Sequence, residues 1–263
     1  MRIFVQIPCL NEENSIADVI ADVRRATSHY DDLNILVIDD GSTDRTVEVA
    51  RAAGADYIVR HNGNCGLAKG YITGLSASLN LGADIIVNTD ADNQYKSKNI
   101  PDLIQPILDG EADLVVGCRP IEDTEHFSPI KKRLQRFGTS VVRGLSGTSV
   151  QDATSGFRAV NREAARQLHT FGDYTYTLET IIQAGRSGFK VMSVDIETNP
   201  PTRESRLISS IAQYVARSGM DMLRVYANYA PLRAYLTLSS FPLGVSILLG
   251  LRYLFLIGFA DST

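Results

Sequence analysis

The chain has 263 residues, of which 44% are hydrophobic and 21% charged. This composition excludes disorder, collagen and coiled coil for the chain as a whole, and the length suits one large α/β domain with an appendage. The net charge of −4 hides an asymmetry, because residues 1–127 hold 10 Lys and Arg against 21 Asp and Glu while residues 128–263 hold 16 against 9, so the two halves are expected to face different partners.

The predicted elements alternate through the first 120 residues. A strand over 2–7 (RIFVQI) runs into the polar cluster PCLNEEN, and a helix over 15–27 places Ile16, Val19, Ile20 and Val23 on one face. A second strand over 34–38 (NILVI) runs into DDGSTD, followed by a helix over 43–53 and a short strand over 56–59. The loop GNCGLAKG opens a helix over 67–81. A strand over 84–88 (DIIVN) runs into TDADNQ, and a helix over 100–108 leads to a strand over 113–117 (DLVVG) that ends in CRP. The strands are nearly continuous apolar runs, as expected where both faces are covered. The expected fold is therefore α/β and Rossmann-like, a mainly parallel sheet with helices on both faces. Four polar clusters at four strand ends give one carboxylate-lined rim, where such sheets bind ligands.

The second half is looser. A basic helix is predicted over 129–145, with Lys131, Lys132, Arg133, Arg136 and Arg143 and no acid. The polar turn QDATSGFR (151–158) comes next, then helices over 162–168 and 177–186 and a strand over 190–197. Pro200-Pro201 marks a break, and an amphipathic stretch over 205–229 leads to the tail. Residues 234–251 carry no charge, and after Arg252 the apolar run resumes to Ala260. That length makes a transmembrane helix the expectation for 231–263, behind a catalytic domain over 1–230. No cationic segment precedes an N-terminal apolar run, so no signal peptide is expected. The three cysteines are too scattered for disulfides or a zinc site and fit a reducing compartment. The four histidines are isolated and suggest no His-metal site, and no P-loop or Ser-His-Asp pattern is present.

Asp90 and Asp92 stand at i and i+2, which on an extended segment aims both carboxylates at one spot, and Gln94 continues the period. Oxygen-rich sets of this kind suit Mg²⁺ or Mn²⁺ shared with substrate phosphates. Asp39 and Asp40 end the second strand, where a carboxylate can grip a sugar or base N–H and Ser42 or Thr43 can cap the next helix. Lys69 sits in the loop that opens a helix and can meet a phosphate. Asp152 and Arg158 are read equally as a turn-fixing pair or as direct catalytic groups, and Glu179 as a structural acid or a loop anchor.

These motifs, PCLNEEN, VIDDGSTDRT, GLAKGYITG, NTDADNQY and VVGCRP, resemble in order and spacing the family-two nucleotide-sugar glycosyltransferases of GT-A fold, over roughly residues 1–230. QDATSGFRAVNRE resembles the polyprenyl-phosphate group of that family, typified by dolichyl-phosphate mannose synthase. The resemblance implies that Asp90, Asp92 and Gln94 hold the metal and that Pro8, Asn11, Glu12 and Asp39 contact the nucleotide. It implies that Arg119, Arg133 and Arg203 bind the acceptor phosphate, with Arg133 and Arg136 not distinguished because Phe137 stands where that group often has a small hydroxyl residue. Relatives that transfer to hydroxyls commonly carry an acidic pair where this chain has Thr154-Ser155-Gly156. A lipid phosphate is already anionic and needs cations rather than a general base.

The expected activity is inverting transfer of a hexose from a nucleotide diphosphate sugar, GDP-mannose or UDP-glucose, to a polyprenyl phosphate at the cytoplasmic face of the cell membrane, with no nucleic-acid partner. The alternatives are transfer to a saccharide or protein hydroxyl, with a base among Asp152, Asp173 and Glu179, and an inactive nucleotide-sugar-binding protein.

Overall fold

The computed structural model describes residues 1–120, 129–170, 176–200, 220, 224, 227–228 and 231–260. The chain falls into two compact units, Met1–Ala216 and Arg217–Thr263.

The first unit is built on a seven-stranded sheet: β1 (Ile3–Cys9), β2 (Leu33–Asp39), β3 (Tyr57–Arg60), β4 (Ile85–Asn88), β5 (Leu114–Cys118), β6 (Arg158–Asn161) and β7 (Val191–Asp195). Their order across the sheet is β3-β2-β1-β4-β6-β5-β7. All neighbours pair in parallel except β6, which is antiparallel to both β4 and β5. The helices of this unit are α1 (Ile16–Ala26), α2 (Thr46–Ala52), α3 (Leu67–Asn80), α4 (Ile100–Leu108, entered through a 3-10 turn at Ser97–Asn99), α5 (Pro129–Ser146), α6 (Arg162–Gln167) and α7 (Thr177–Arg186). From β1 the chain winds outward through β2 and β3, then returns to place β4 on the other side of β1. The gap between the carboxyl ends of β1 and β4 is thus a topological switch point, where open α/β sheets bind ligands.

Alternate residues of the strands divide between the two faces. Ile3, Val5 and Ile7 of β1 join Ile35 and Val37 of β2 and Ile16, Val19, Ile20 and Val23 of α1 in the main core. Gln6, between them, faces α3. Its Nε2 donates to Asn88 Oδ1 (2.8 Å) and Tyr71 O (3.3 Å), and a Cβ on Gly74 of α3 would come within 3.0 Å of both Gln6 and Ile38. Gly74 is therefore what lets α3 lie close to the sheet.

The first-half strands fall within one or two residues of their predicted positions. β6 is a strand the sequence reading did not foresee. Only Ala159 and Val160 of its four residues are apolar, and its form comes from filling the gap between β4 and β5. α2 starts later than predicted because Asp44 Oδ1 accepts from Thr46 N (3.0 Å), closing a turn before the helix begins. The amphipathic stretch over 205–229 lies almost wholly outside the described residues, as does Arg203.

In the second unit, α8 (Pro231–Ala260) runs for 30 residues. Its stretch Pro231–Ile257 is long and apolar enough to cross a membrane, with mean hydropathy 1.8. Leu236, Phe241, Leu248 and Phe255 are exposed.

Candidate active site

The loops after β1 and β2 are laced together. Asn11, at φ 55°, receives its shape from Ser42: Asn11 N donates to Ser42 Oγ (2.8 Å), and Thr43 N donates back to Asn11 Oδ1 (2.9 Å). Glu12 N donates to Thr46 Oγ1 (2.8 Å). The hydroxyls of Ser42 and Thr46 thus hold the β1 loop instead of capping α2. Pro8 lies within β1, buried opposite Ile38, with Gly70 of α3 beside its ring.

The two carboxylates at the end of β2 differ in task. Asp39 is fully buried; Ser42 N donates to its Oδ1 (3.1 Å), and Arg60 Nε lies 3.0 Å from Oδ2. That contact is an ion pair without hydrogen-bond alignment, so Oδ2 lacks a hydrogen-bond donor among the described residues. A buried acceptor of this kind suits an N–H or hydroxyl of a ligand. Asp40 instead turns to the following loop. Its Oδ1 meets His61 Nδ1 (2.7 Å) and accepts from Cys65 N (2.8 Å), and its Oδ2 accepts from Gly66 N (2.9 Å). Lys69, on the first turn of α3, is exposed.

Asp90 and Asp92 follow β4, but not on the extended segment that their spacing suggested. β4 ends at Asn88, and the chain turns at Ala91 and Asp92. Asp92 Oδ1 accepts from Gln94 N (3.0 Å), and Asn93 takes φ 58°. Asp90 makes no hydrogen bond to another described residue. Burial first, and then the neighbouring Asp92, push its carboxyl up to about 7. A carboxylate desolvated beside a second one is unfavourable alone and is stabilised by a shared cation. The oxygen-only donor set of Asp90, Asp92 and Gln94 therefore fits a hard divalent ion.

A clasp from the segment that follows β7 shapes this turn. Tyr95 bridges Thr198, Asn199 N donates to Gln94 O (2.8 Å) and Asn199 Nδ2 donates to Asn93 O (2.8 Å). Lys96 and Lys98 both pair with Glu197, whose carboxyl they hold down at about 2.

Beside the carboxylates stands Arg119, at the end of β5. Its Nε donates to Asp152 Oδ2 (2.7 Å), and its Nη2 donates to Asp152 Oδ1 (3.1 Å) and Thr154 Oγ1 (2.7 Å). Nη1 makes no hydrogen bond among the described residues. Burial disfavours the charge of Arg119, but Tyr95 and Asp152 outweigh it and keep the guanidinium firmly protonated. Burial likewise opposes the Asp152 carboxylate, and Arg119 and Thr154 outweigh it, so its carboxyl is held below the usual range. The turn-fixing pair of Asp152 with Arg158 is not formed. Arg158 is buried beneath the site, donating to the carbonyls of Ser155, Ala153 and Thr177 and to Thr180 Oγ1.

The roles of five residues in this floor, Asn88, Tyr95, Gly156, Tyr71 and Tyr176, went unread in the sequence. Gly156 N donates to Tyr95 Oη (3.0 Å), and Asn88 Nδ2 donates to Gly156 O (2.9 Å) and Tyr176 Oη (3.0 Å). Tyr176 stacks on Tyr71 with ring centroids 3.8 Å apart. A Cβ on Gly156 would lie 3.3 and 3.4 Å from the Asp90 oxygens, so only glycine lets the β6 turn pass so close. The run TSGFR contains that glycine, but nothing in one sequence shows what it approaches.

Arg133 and Arg136 lie on the exposed side of α5 with Phe137 and Arg143, while Thr139 and Val142 face inward. The structure brings Asp90, Asp92 and Arg119 together and leaves both Arg133 and Arg136 exposed.

Residues 4–168 match the model of the family "Glycosyl transferase family 2". An uncharacterized protein of Methanocaldococcus jannaschii is 34% identical over 204 residues, covering 75% of this chain and 81% of that protein. The UDP-N-acetylglucosamine–dolichyl-phosphate N-acetylglucosaminyltransferase of Methanococcus voltae is 31% identical over 218 residues, covering 74% of this chain and 85% of that one. Among solved structures, glucosyl-3-phosphoglycerate synthase from Mycobacterium tuberculosis, in complex with Mn²⁺, UDP and glucosyl-3-phosphoglycerate, superposes with a TM-score of 0.67 at 22% identity, covering 87% of this chain and 80% of that one. That likeness establishes the GT-A type of fold.

Proposed function

Because the chain belongs to glycosyl transferase family 2, we propose that it transfers a sugar from a nucleotide diphosphate donor to a polyprenyl phosphate at a membrane, with inversion at the anomeric carbon. The reading rests on Arg119, a guanidinium fixed by Asp152 and Thr154 beside the Asp90 carboxylate. An anchored arginine next to the donor carboxylates is suited to an anionic acceptor, because its planar fork matches phosphate oxygens. It also occupies Asp152, one of the three carboxylates, with Asp173 and Glu179, that transfer to a hydroxyl could use as a base. The Methanococcus voltae relative, named for a dolichyl-phosphate acceptor, supports the same acceptor class.

Asp39 would accept a hydrogen bond from the nucleotide, and the laced loops at Asn11 and Glu12 would frame its pocket. Asp90, Asp92 and Gln94 would hold a Mg²⁺ or Mn²⁺ ion, which when bound offsets negative charge on the departing diphosphate. Arg119, with Arg133 or Arg136 and Arg203, would hold the lipid phosphate. A phosphate oxygen attacks the anomeric carbon as the bond to the diphosphate breaks, and the electron pair leaves with the nucleoside diphosphate. No proton has to move, since the attacking oxygen is already anionic. One displacement inverts the configuration.

α8 would anchor the enzyme. Arg217, Arg224 and Arg233 precede the uncharged run and Arg252 follows it, a bias that, by the positive-inside tendency, supports a cytoplasmic N-terminal end for this helix.

The test is a donor screen on the full chain in detergent with polyprenyl phosphate and Mn²⁺, using radiolabelled GDP-mannose, UDP-glucose and UDP-N-acetylglucosamine. One donor should pass label into the lipid extract, and Arg119→Lys should lower acceptor efficiency by roughly one to two decades while donor affinity stays, as loss of a charge-assisted contact costs about 1.5–3 kcal/mol. Label reaching only water-soluble glycans, with the lipid left unmodified, would overturn the acceptor assignment.

A further inference from the structure

We infer that Asp40, His61 and Cys65 form a binding site for a borderline-soft divalent ion of the zinc type, separate from the oxygen-only carboxylate set at Asp90 and Asp92. A carboxylate oxygen of Asp40, a ring nitrogen of His61 and Sγ of Cys65 all lie within 4.8 Å of one another. Thiolate, imidazole and carboxylate together are the donor types that zinc selects, whereas Mg²⁺ and Mn²⁺ favour oxygen alone.

The local structure is arranged for such an ion. Asp40 is oriented by the backbone N–H groups of Cys65 and Gly66, at 2.8 and 2.9 Å, so its carboxylate is fixed before any ion arrives. His61 Nδ1 stands 2.7 Å from Asp40 Oδ1, and its Nε2 stands 3.0 Å from Thr73 Oγ1. Thr73 is the outer partner that fixes a ligating imidazole. Its hydroxyl can donate to Nε2 when Nδ1 carries the proton, or accept from Nε2–H when Nδ1 is bare, so it tolerates the tautomer that metal binding demands. Tetrahedral zinc, with bonds of about 2.0 Å to N and O and 2.3 Å to S, sets neighbouring ligand atoms about 3.3–3.5 Å apart. The carboxylate and imidazole need only part slightly, and Cys65 is exposed and can rotate inward. On binding, the thiol proton is released and the imidazole proton sits on Nε2. Three protein ligands leave the fourth position to water.

The consequence is local. The segment 61–66 passes close to the turn at Gly41, where a Cβ would come within 2.7 Å of the Gly63 backbone. An ion held by Asp40, His61 and Cys65 cross-links that segment to the end of β2, next to Asp39.

The experiment uses the full chain in detergent, stripped with EDTA and titrated with Co²⁺ as a spectroscopic substitute for Zn²⁺. A thiolate-to-cobalt charge-transfer band should grow to one equivalent and be abolished by added Zn²⁺. Cys65→Ser and His61→Ala should each remove or sharply reduce it, while Asp92→Asn should retain it, since an oxygen-only site gives no thiolate band. Should the variants misfold, alkylation of Cys65 by iodoacetamide in the wild-type protein is the second measurement, and Zn²⁺ should slow it at least tenfold. Absence of the band in the wild-type protein, its survival in Cys65→Ser, or unchanged alkylation with Zn²⁺ each overturns the site.

Discussion

Asp152→Ala separates an anchoring carboxylate from a catalytic base. The Asp152 side chain is fully buried and accepts hydrogen bonds from Arg119 Nε and Nη2 and from the backbone N–H and hydroxyl of Thr154. Removing it strands a guanidinium whose side chain is only 15% exposed. Breaking a buried pair on one side costs about 3–5 kcal/mol, and the residual exposure of Arg119 places this case near 3 kcal/mol. For a chain of this size that corresponds to a fall of roughly 6–12 °C in the thermal midpoint, measurable by circular dichroism in detergent. Arg119 would lose its orientation, so acceptor KM should rise about tenfold or more while donor affinity holds. Arg119→Met combined with Asp152→Leu should recover most of the stability, because a hydrophobic pair of similar volume can replace a buried ion pair. It should not recover acceptor binding. If Asp152→Ala instead abolishes kcat with stability and acceptor KM intact, Asp152 acts as a base and the anchoring argument is wrong.

Asp92→Asn, or EDTA on the wild-type protein, should cut turnover on the order of 10²-fold or more, since metal charge stabilisation is worth several kcal/mol; activity untouched by both would exclude the metal. Gly156→Ala places a Cβ 2.9 Å from Tyr176 Oη and 3.3 Å from Asp90, and Tyr176 cannot yield because Tyr71 and Asn88 pin it. Overpacking of this kind should cost about 1–3 kcal/mol in urea denaturation and weaken metal activation together; an unchanged urea midpoint and metal response would count against the close approach. Asn199→Ala loses one hydrogen bond to Asn93 O and should raise the Mn²⁺ concentration for half-activation about two- to tenfold with little change in thermal midpoint; Asn199→Asp, which cannot donate, should match it. Asp152 has its folded carboxyl held below its unfolded value near 3.9, so its stabilisation is complete above about pH 4 and lost as pH falls through the folded value. The stability gap between wild type and Asp152→Asn should therefore be constant from pH 5 to 8 and close towards pH 3, and a gap that closes already at pH 6 would contradict the pairing.

Much of this molecule was legible in one dimension. Continuous apolar runs such as NILVI and DIIVN specify strands covered on both faces, because a strand with helices on each side has no solvent face to fill with polar residues. Polar clusters directly after those runs place Asp39, Asp90 and Arg119 at strand ends, and the uncharged run over 234–251 specifies a helix of membrane-spanning length. What the sequence left open depends on approach across distance. β6 is a strand only because it completes pairing between β4 and β5. Asp90 and Asp92 converge through a turn clasped by Asn199, 106 residues beyond Asn93, rather than through the alternation of an extended segment. Asp152 pairs with Arg119 instead of Arg158 because the latter is drawn beneath the floor by the carbonyls of Ala153 and Ser155 in its own turn and of Thr177 on α7. His61 and Cys65, isolated along the chain, meet Asp40 only where the loop before α3 folds back on the end of β2. Periodicity encodes which face of an element is buried, but the partners of a polar group are set by which strand ends the sheet order makes neighbours.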